Sequence, residues 1–195
     1  MIIELLKNRV SVRKFKRKPV PEEVLQEILE AGRLSPSGGN DQPWVFGVID
    51  DPQLIGQIAQ IARHQDWIAA APLLIVLCTV GVDDRRGGRN IQIERFPDYG
   101  RAIAELPQGF YWSINVEEHQ TKIPGTHMLL AAQERGVGGC WVSRFDVNKL
   151  ARLLNLPANY LPSEMLALGY PVQTRKPVEK KNLDTLVFRN VLEQS

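Results

Sequence analysis

The stretch from Leu73 to Val80 constrains the fold more than any other, because it is apolar along nearly its whole length and carries no charge. A short apolar run between polar segments is typical of a strand that is buried on both faces. Such a strand lies in the interior of a sheet whose two faces are both covered. We therefore expect a sheet with Leu73–Val80 near its centre.

Helix and strand signals surround this run. Pro21 at a first helical position, with acidic residues in the turn that follows, predicts a helix to about Arg33. Asp51 and Asp146 each precede an amphipathic stretch and are predicted N-caps. The other predicted elements are helices at 2–8, 52–62, 114–135 and 147–155, and strands at 44–49, 139–143, 165–168 and 183–188.

This element pattern predicts an α+β domain, with a central sheet covered by helices on both faces, because it contains no strict βαβ repeat. Pro124-Gly125 lies inside the longest helix and is expected to break or kink it. The strand at 183–188 has no hairpin partner and needs another sheet edge. The polar stretch at 81–109 is predicted to cover the active site, since long loops in compact domains are often functional.

A loop built for close approach to a ligand runs from Ser35 to Phe46. Two adjacent glycines accept positive φ and leave no Cβ in the way of a flat ligand. Prolines at 36 and 43 stiffen the two sides of the loop. Its short polar side chains offer donors and acceptors to a ligand; they are Ser35, Ser37, Asn40 and Gln42. The alternative is a plain turn between a helix and a strand, which has a similar composition.

Two further stretches bear on this choice. Arg9 and Arg13, with Ser11 between them, follow the first helix and are placed to bind one anion. The alternative for these cations is a solvated basic surface shared with the lysines and arginine at 14–18. A glycine-rich turn at 136–139 leads into Cys140 and Trp141.

Taken together, the three stretches resemble the FMN-dependent nitroreductase family. The family's Arg-x-Ser-x-Arg-x-Phe pattern is matched from Arg9 to Phe15, and its Ser-Pro-Ser-x-x-Asn-x-Gln-Pro-Trp loop from Ser35 to Trp44. A Gly-x-Gly-x-Cys-Trp-type turn is met at 136–141, and a Gly-Tyr-Pro sequence precedes the basic tail. The resemblance extends over nearly the whole chain, in the family's order.

The resemblance implies a three-layer α/β/α sandwich around a mostly antiparallel sheet. It also implies a homodimer in which a C-terminal extension is exchanged between protomers and each flavin lies at the subunit boundary. Residues 1–195 would form a single FMN-binding domain, with a variable cover segment at 81–109 and a C-terminal arm at 172–195.

The resemblance further implies FMN as the cofactor, NADH or NADPH as the electron donor, and a nitroaromatic or quinone as the acceptor, in two half-reactions. Bound FMN would carry the chemistry, so no side chain is assigned a catalytic role. The residues expected to bind FMN are Arg9, Val10, Ser11, Arg13, Pro36, Ser37, Gly38, Asn40, Trp141, Val142, Ser143, Lys180 and Lys181. Same-fold alternatives are an enone reductase, a reductive dehalogenase or a flavin-fragmenting enzyme, and a different class is a flavin-binding protein without turnover.

Composition narrows the remaining classes of function. A net charge of +2, with acids interspersed among the basic residues, argues against nucleic-acid binding. The two cysteines lack a neighbouring histidine or a Cys-x-x-Cys spacing, so neither a disulfide nor a metal site is expected. His64, His119 and His127 are interpreted as structural or surface residues. No signal peptide or membrane-spanning run is predicted, which favours a cytoplasmic protein that acts on small molecules.

Overall fold

The computed structural model of the chain describes residues 2–63, 65–80, 89–107, 117–173 and 176–190. Its strands are β1 (Trp44–Ile49), β2 (Leu73–Val80), β3 (Gly138–Val142) and β4 (Tyr160–Gly169). Its α-helices are α1 (Ile2–Asn8), α2 (Glu22–Arg33), α3 (Pro52–Ile61), α4 (Arg89–Arg95), α5 (Gly100–Glu105), α6 (Glu117–Glu134) and α7 (Val147–Leu153). Within the described residues, no helix is long and apolar enough to cross a membrane.

The four strands form one sheet in the order β1-β2-β4-β3, and all three neighbouring pairs are antiparallel. β2 is central, as its sequence predicts, and its residues are buried except at its last position. A single parallel bridge joins Ser11 to Gly139 on the outer side of β3. The predicted mostly antiparallel sheet is confirmed.

Helices cover both faces of the sheet, which confirms the three-layer arrangement. On one face, α2 and α6 enclose a core with the β2 residues Leu73, Ile75 and Leu77. On the other face, α3 and α7 pack on Leu74, Val76 and Cys78. Successive β2 side chains alternate between these two cores because strand side chains point to opposite faces.

Local capping sets several of the helix ends that the sequence predicts. The Asp51 carboxylate accepts hydrogen bonds from the N–H groups of Gln53 and Leu54, and α3 follows. The Asp146 carboxylate accepts from the N–H of Lys149 at the start of α7. That backbone hydrogen bond lowers the pKa of Asp146 below its ordinary value. Pro21 is the N-cap of α2 instead of its first helical residue.

Pro124-Gly125 does not break the helix as expected: α6 continues through both residues. Gly125 instead allows α6 to lie against the sheet. A Cβ at Gly125 would lie 2.5 Å from Leu77 Cδ1 and 2.7 Å from Trp141 Cη2. The glycine is therefore a packing residue, and the missing Pro124 N–H is tolerated within a buried helix.

One other prediction of secondary structure is wrong, and another is confirmed but too short. Residues 183–188 do not form a strand: Leu183–Thr185 is a short 3₁₀ turn capped by Asn182, whose side-chain oxygen accepts from the N–H of Asp184. The strand predicted at 165–168 is longer, because β4 begins at Tyr160 and continues past a bulge opposite Leu77/Cys78. Part of the predicted cover at 81–109 forms α4 and α5, while residues 81–88, 108 and 109 lie outside the described residues.

Candidate functional site

The first and third predicted segments lie side by side. The N–H of Val12 donates to the carbonyl oxygen of Gly139 at 3.1 Å, next to the bridge between Ser11 and Gly139. The backbone of the basic segment therefore follows the outer edge of β3 for a short distance. A Cβ at Gly138 would lie 2.5 Å from Val12 Cγ2, so a glycine is needed for this approach.

The buried Cys140 thiol lies near Ser11, Arg13 and Arg9. It donates a hydrogen bond to the carbonyl oxygen of Trp141 at 3.5 Å, and the positive charges of Arg13 and Arg9 favour its ionised form. Burial raises the pKa of Cys140 above its ordinary value, and these neighbours offset only part of that rise. The thiol is thus held neutral at the base of a cationic cluster formed by Arg9, Ser11 and Arg13.

The guanidinium groups of this cationic cluster have no carboxylate partner among the described residues. Arg13 lies over the Trp67 ring, 5.6 Å from its centroid, which holds one guanidinium by a cation–π contact. Two unpaired guanidiniums beside a hydroxyl form a donor set suited to a phosphate, because each guanidinium can give a bidentate fork of N–H groups. The cluster therefore fits the phosphate end of a nucleotide cofactor.

The second predicted segment, the loop at 35–42, has an unusual backbone. Gly39, Asn40 and Gln42 have φ values of 59°, 57° and 47°. Left-handed conformations are uncommon for residues other than glycine and are concentrated at ligand-binding sites. Most of the loop is exposed, including Pro36, Gly38 and Asn40, while Ser37 is half-buried. This is an open loop of the kind that can lie against a flat ring.

Two of the loop's serines are not available to a ligand in the way the sequence suggests. Ser35 is 5% exposed, and its Oγ lies 2.7 Å from His127 Nδ1 on α6 and 3.3 Å from the carbonyl oxygen of Ala31. Ser37 Oγ accepts from the N–H of Gln42 at 2.9 Å. Ser35 thus anchors the loop from inside, and Ser37 closes the loop on itself.

The loop and the cationic cluster adjoin opposite edge strands of the sheet. The cluster is outside β3 at the level of Gly139, which pairs with Leu168 and through it with Leu73, whereas the loop enters β1 at Trp44, opposite Thr79. Among the described contacts, none joins the loop to the cationic cluster or to β3.

Comparison with known proteins assigns most of the chain to one family. The family model described as "Nitroreductase family" matches residues 6–170. The chain belongs to the nitroreductase family. This confirms the resemblance carried by the three sequence stretches.

Individual relatives of this nitroreductase-family chain carry different names. An NADH dehydrogenase of Thermus thermophilus is 30% identical over 191 residues, covering 92% of the chain and 91% of that protein. An iodotyrosine deiodinase of Nematostella vectensis is 39% identical over 200 residues, covering 90% of the chain and 71% of that protein. A nitroreductase family protein of Streptococcus pneumoniae has a similar fold, with a TM-score of 0.77 at 20% identity, covering 97% and 100% of the two chains.

The glycine-rich turn of the family pattern leads into β3, where the side chains of Trp141 and Val142 are engaged inside the protein. Val142 is in the core, and Trp141 Nε1 donates to Glu164 Oε2 at 2.7 Å. Glu164 is itself buried and has Lys122 Nζ 3.4 Å from its other oxygen. The groups of this segment that remain free to face a cofactor are the backbone of Trp141 and Val142 and the exposed residue Ser143.

The two predicted tail lysines, Lys180 and Lys181, lie on the C-terminal arm. Residues 176–190 are all exposed, and among the described contacts none joins these lysines to Arg9 or Arg13. The arm carries several large apolar side chains with more than half of their surface in water: Val178, Leu183, Leu186, Val187 and Phe188. Placement of the lysines at the cationic cluster therefore stays a prediction.

Sequence reasoning missed two residues of α6 that contact the loop. Gln120 Oε1 accepts from the N–H of Gly38 at 2.8 Å, and His127 meets Ser35. Gln120 and His127 are seven positions apart, a spacing that places both on one face of a helix. This spacing could have indicated that the two side chains act together. The residues around them do not indicate which loop that face of the helix contacts. Among the described residues, no group of three or more His, Cys, Asp or Glu is placed to hold a metal.

Proposed function

We propose that the chain is an FMN-dependent oxidoreductase that transfers hydride from NADH or NADPH to an electron-poor acceptor such as a nitroaromatic or a quinone. The observation that carries this proposal is a pair of guanidiniums, Arg9 and Arg13, near Ser11 and without a carboxylate partner among the described residues, in a chain of the nitroreductase family. When bound, FMN would supply the redox chemistry by accepting a hydride and passing electrons on.

The chain's own residues would bind and orient the cofactor. Arg9 and Arg13 would neutralise the phosphate through charge-assisted hydrogen bonds, and Ser11 would donate to a phosphate or ribityl oxygen. The open backbone of Pro36, Gly38 and Asn40, with Ser37, would lie along the ring system. Backbone groups of Trp141–Ser143 would face its polar edge, and Val10 would pack beside them. Lys180 or Lys181 would add a further cation.

We further propose that the site is assembled from two protomers. In one chain, the loop leads into the edge strand β1 and the cluster lies outside the opposite edge strand β3, and no described contact joins the two. In a homodimer, the cluster of one chain can face the loop of its partner, so that the two segments together form one site. The exposed apolar side chains of the arm support exchange of the arm, since isolated chains rarely leave such residues uncovered.

A visible spectrum of the purified protein, followed by anaerobic addition of NADH and NADPH, tests the proposal. Bleaching of the flavin band by either nucleotide, and its return on adding menadione or a nitroaromatic, is the expected result. A colourless protein that binds no added FMN would refute it. Tight FMN binding with negligible NAD(P)H oxidation would instead indicate a flavin carrier without turnover.

A second candidate is reductive dehalogenation of an aromatic halide, which the 39% identity to an iodotyrosine deiodinase favours. In that reaction a carbon–halogen bond is replaced by carbon–hydrogen, with two electrons and a proton consumed and halide released. Assay of iodide release from iodotyrosine by the reduced protein, beside nitroaromatic reduction, separates the two functions. Iodide release much faster than nitroaromatic reduction would favour the dehalogenase.

A further inference from the structure

We infer that Gln120 and His127 are positioning residues, which hold the loop at 35–42 in the shape that binds FMN. This inference rests on the proposed function, since the loop is a cofactor loop only if the chain binds FMN. Each of the two side chains acts through the loop, and each does so from the same face of α6.

The two contacts fix the loop at its beginning and near its middle. His127 Nδ1 meets Ser35 Oγ at 2.7 Å, where the loop leaves α2. Gln120 Oε1 accepts from the Gly38 N–H at 2.8 Å, directly before the first left-handed residue, Gly39. Residues 120 and 127 are two helical turns apart, and α6 is a long, partly buried helix, so the separation between the two anchors is itself rigid.

The loop needs hydrogen bonds to another element because its internal hydrogen bonds join only residues of the loop to one another. Asn40 N–H donates to the Ser37 carbonyl, Asp41 N–H to the Gly38 carbonyl, and Gln42 N–H to Ser37 Oγ. These bonds define a compact turn but do not fix where the turn lies relative to the sheet. Left-handed residues other than glycine persist only where surrounding structure holds them.

The contact between His127 and Ser35 does not depend on one imidazole tautomer. If Nδ1 lacks a proton, the Ser35 hydroxyl donates to it. If Nδ1 carries the proton, it donates to Ser35 Oγ, and the hydroxyl hydrogen turns to the Ala31 carbonyl oxygen 3.3 Å away. The anchor is therefore available in every protonation state of the ring.

The test measures the FMN dissociation constant by quenching of flavin fluorescence, together with urea unfolding of the FMN-free protein. Gln120→Met removes the acceptor at nearly constant side-chain length, and His127→Leu removes the ring nitrogen. We expect each to raise the dissociation constant by about three- to tenfold, the effect of one hydrogen bond. Gln120→Glu and His127→Asn keep a polar atom within reach and should restore most of the affinity.

Thr126→Val is the matched control, because it removes one α6 hydrogen bond, from Thr126 Oγ1 to the Lys122 carbonyl, away from the loop. It should leave the dissociation constant unchanged. The inference would be overturned if Gln120→Met and His127→Leu both bound FMN as tightly as the wild type. It would also be overturned if Gln120→Glu and His127→Asn lost as much affinity as those variants. The proposed function would stand in either case. Failure of the wild-type protein to bind FMN would overturn both.

Discussion

The cationic cluster beside β3 and the loop before β1 differ in how each is held and in what each can bind. Arg9 and Arg13 are long, charged side chains on a segment attached to β3 by few backbone contacts. The loop carries little charge, and its shape is set by left-handed backbone and by contacts from α6. The cluster suits an anion, whereas the loop suits a neutral, flat surface.

This difference teaches that the two halves of the proposed site should fail in different ways. A guanidinium on a long stem tolerates small displacements but depends on charge, so its contribution weakens as salt screens it. A strained loop depends on backbone shape and responds little to salt. Because the two halves adjoin opposite edge strands of one sheet and share no described contact, each can be altered without disturbing the other.

The largest effect is expected at the cationic cluster. Arg9→Ala should weaken FMN binding by about 1.5–3 kcal/mol, the range for hydrogen bonds to a charged group. The dependence of binding on salt should fall in the same variant. Lys16→Ala is the control, because Lys16 is an exposed cation of the same segment. Equal affinity in the wild type and Arg9→Ala, measured by fluorescence titration, would mean that Arg9 is only surface charge.

The next effect is expected where α6 touches the third segment. Gly125→Ala should destabilise the protein by about 1–3 kcal/mol through overpacking against Leu77 and Trp141. Gly56→Ala in α3 makes the same change where nothing lies within 4 Å, and it should stabilise by about 0.5–1 kcal/mol. Urea unfolding measures both. Changes of the same sign in the two variants would contradict the packing role of Gly125.

A smaller effect is expected at the loop itself. Gly39→Ala places a side chain at a φ of 59°, with its Cβ 3.2 Å from Asp41 Oδ1. The left-handed conformation should cost about 1–2 kcal/mol, which appears as weaker FMN binding. In contrast to Arg9→Ala, the salt dependence of binding should be the same as in the wild type. A reduced salt dependence in Gly39→Ala would remove the distinction between charge and shape.

The smallest effect separates stability from binding. Asp51→Ala removes the cap that serves two N–H groups of α3, far from both halves of the site. We expect a loss of about 1 kcal/mol in the free energy of unfolding. FMN affinity should not change. If affinity fell with stability in this variant, the binding losses in the other variants would no longer report on local contacts.

Much of the fold was predictable because it follows from local rules. The apolar run of β2 and the caps Asp51 and Asp146 act over a few residues, and the structure confirms them. The start of β4 was missed because Pro162, Ser163 and Glu164 resemble a loop, although all three are buried by neighbours distant in sequence. Gly125 was misread for the same reason, since its role depends on Leu77 and Trp141.

The candidate site shows the same limit. The residue types of the cluster and the loop could be predicted as ligand-binding from the sequence. A phosphate is bound by cations and hydroxyls, and a flat ring is approached by glycine-containing backbone. The separation of the cluster and the loop across the sheet was not readable, since it depends on strand order, which no single stretch encodes. The same holds for Gln120 and His127, whose partners are more than eighty residues away along the chain.

Mixed dimers test the two-protomer site most directly. One chain carries Arg9→Ala with Arg13→Ala, the other carries Gly39→Val with Asn40→Ala, and two affinity tags allow the mixed species to be purified. Each parental homodimer should bind no FMN, whereas the mixed dimer should bind one FMN, because one of its two sites combines an intact cluster with an intact loop. A mixed dimer that binds none, beside a wild-type protein that binds two, would place all three segments in one chain and contradict the account.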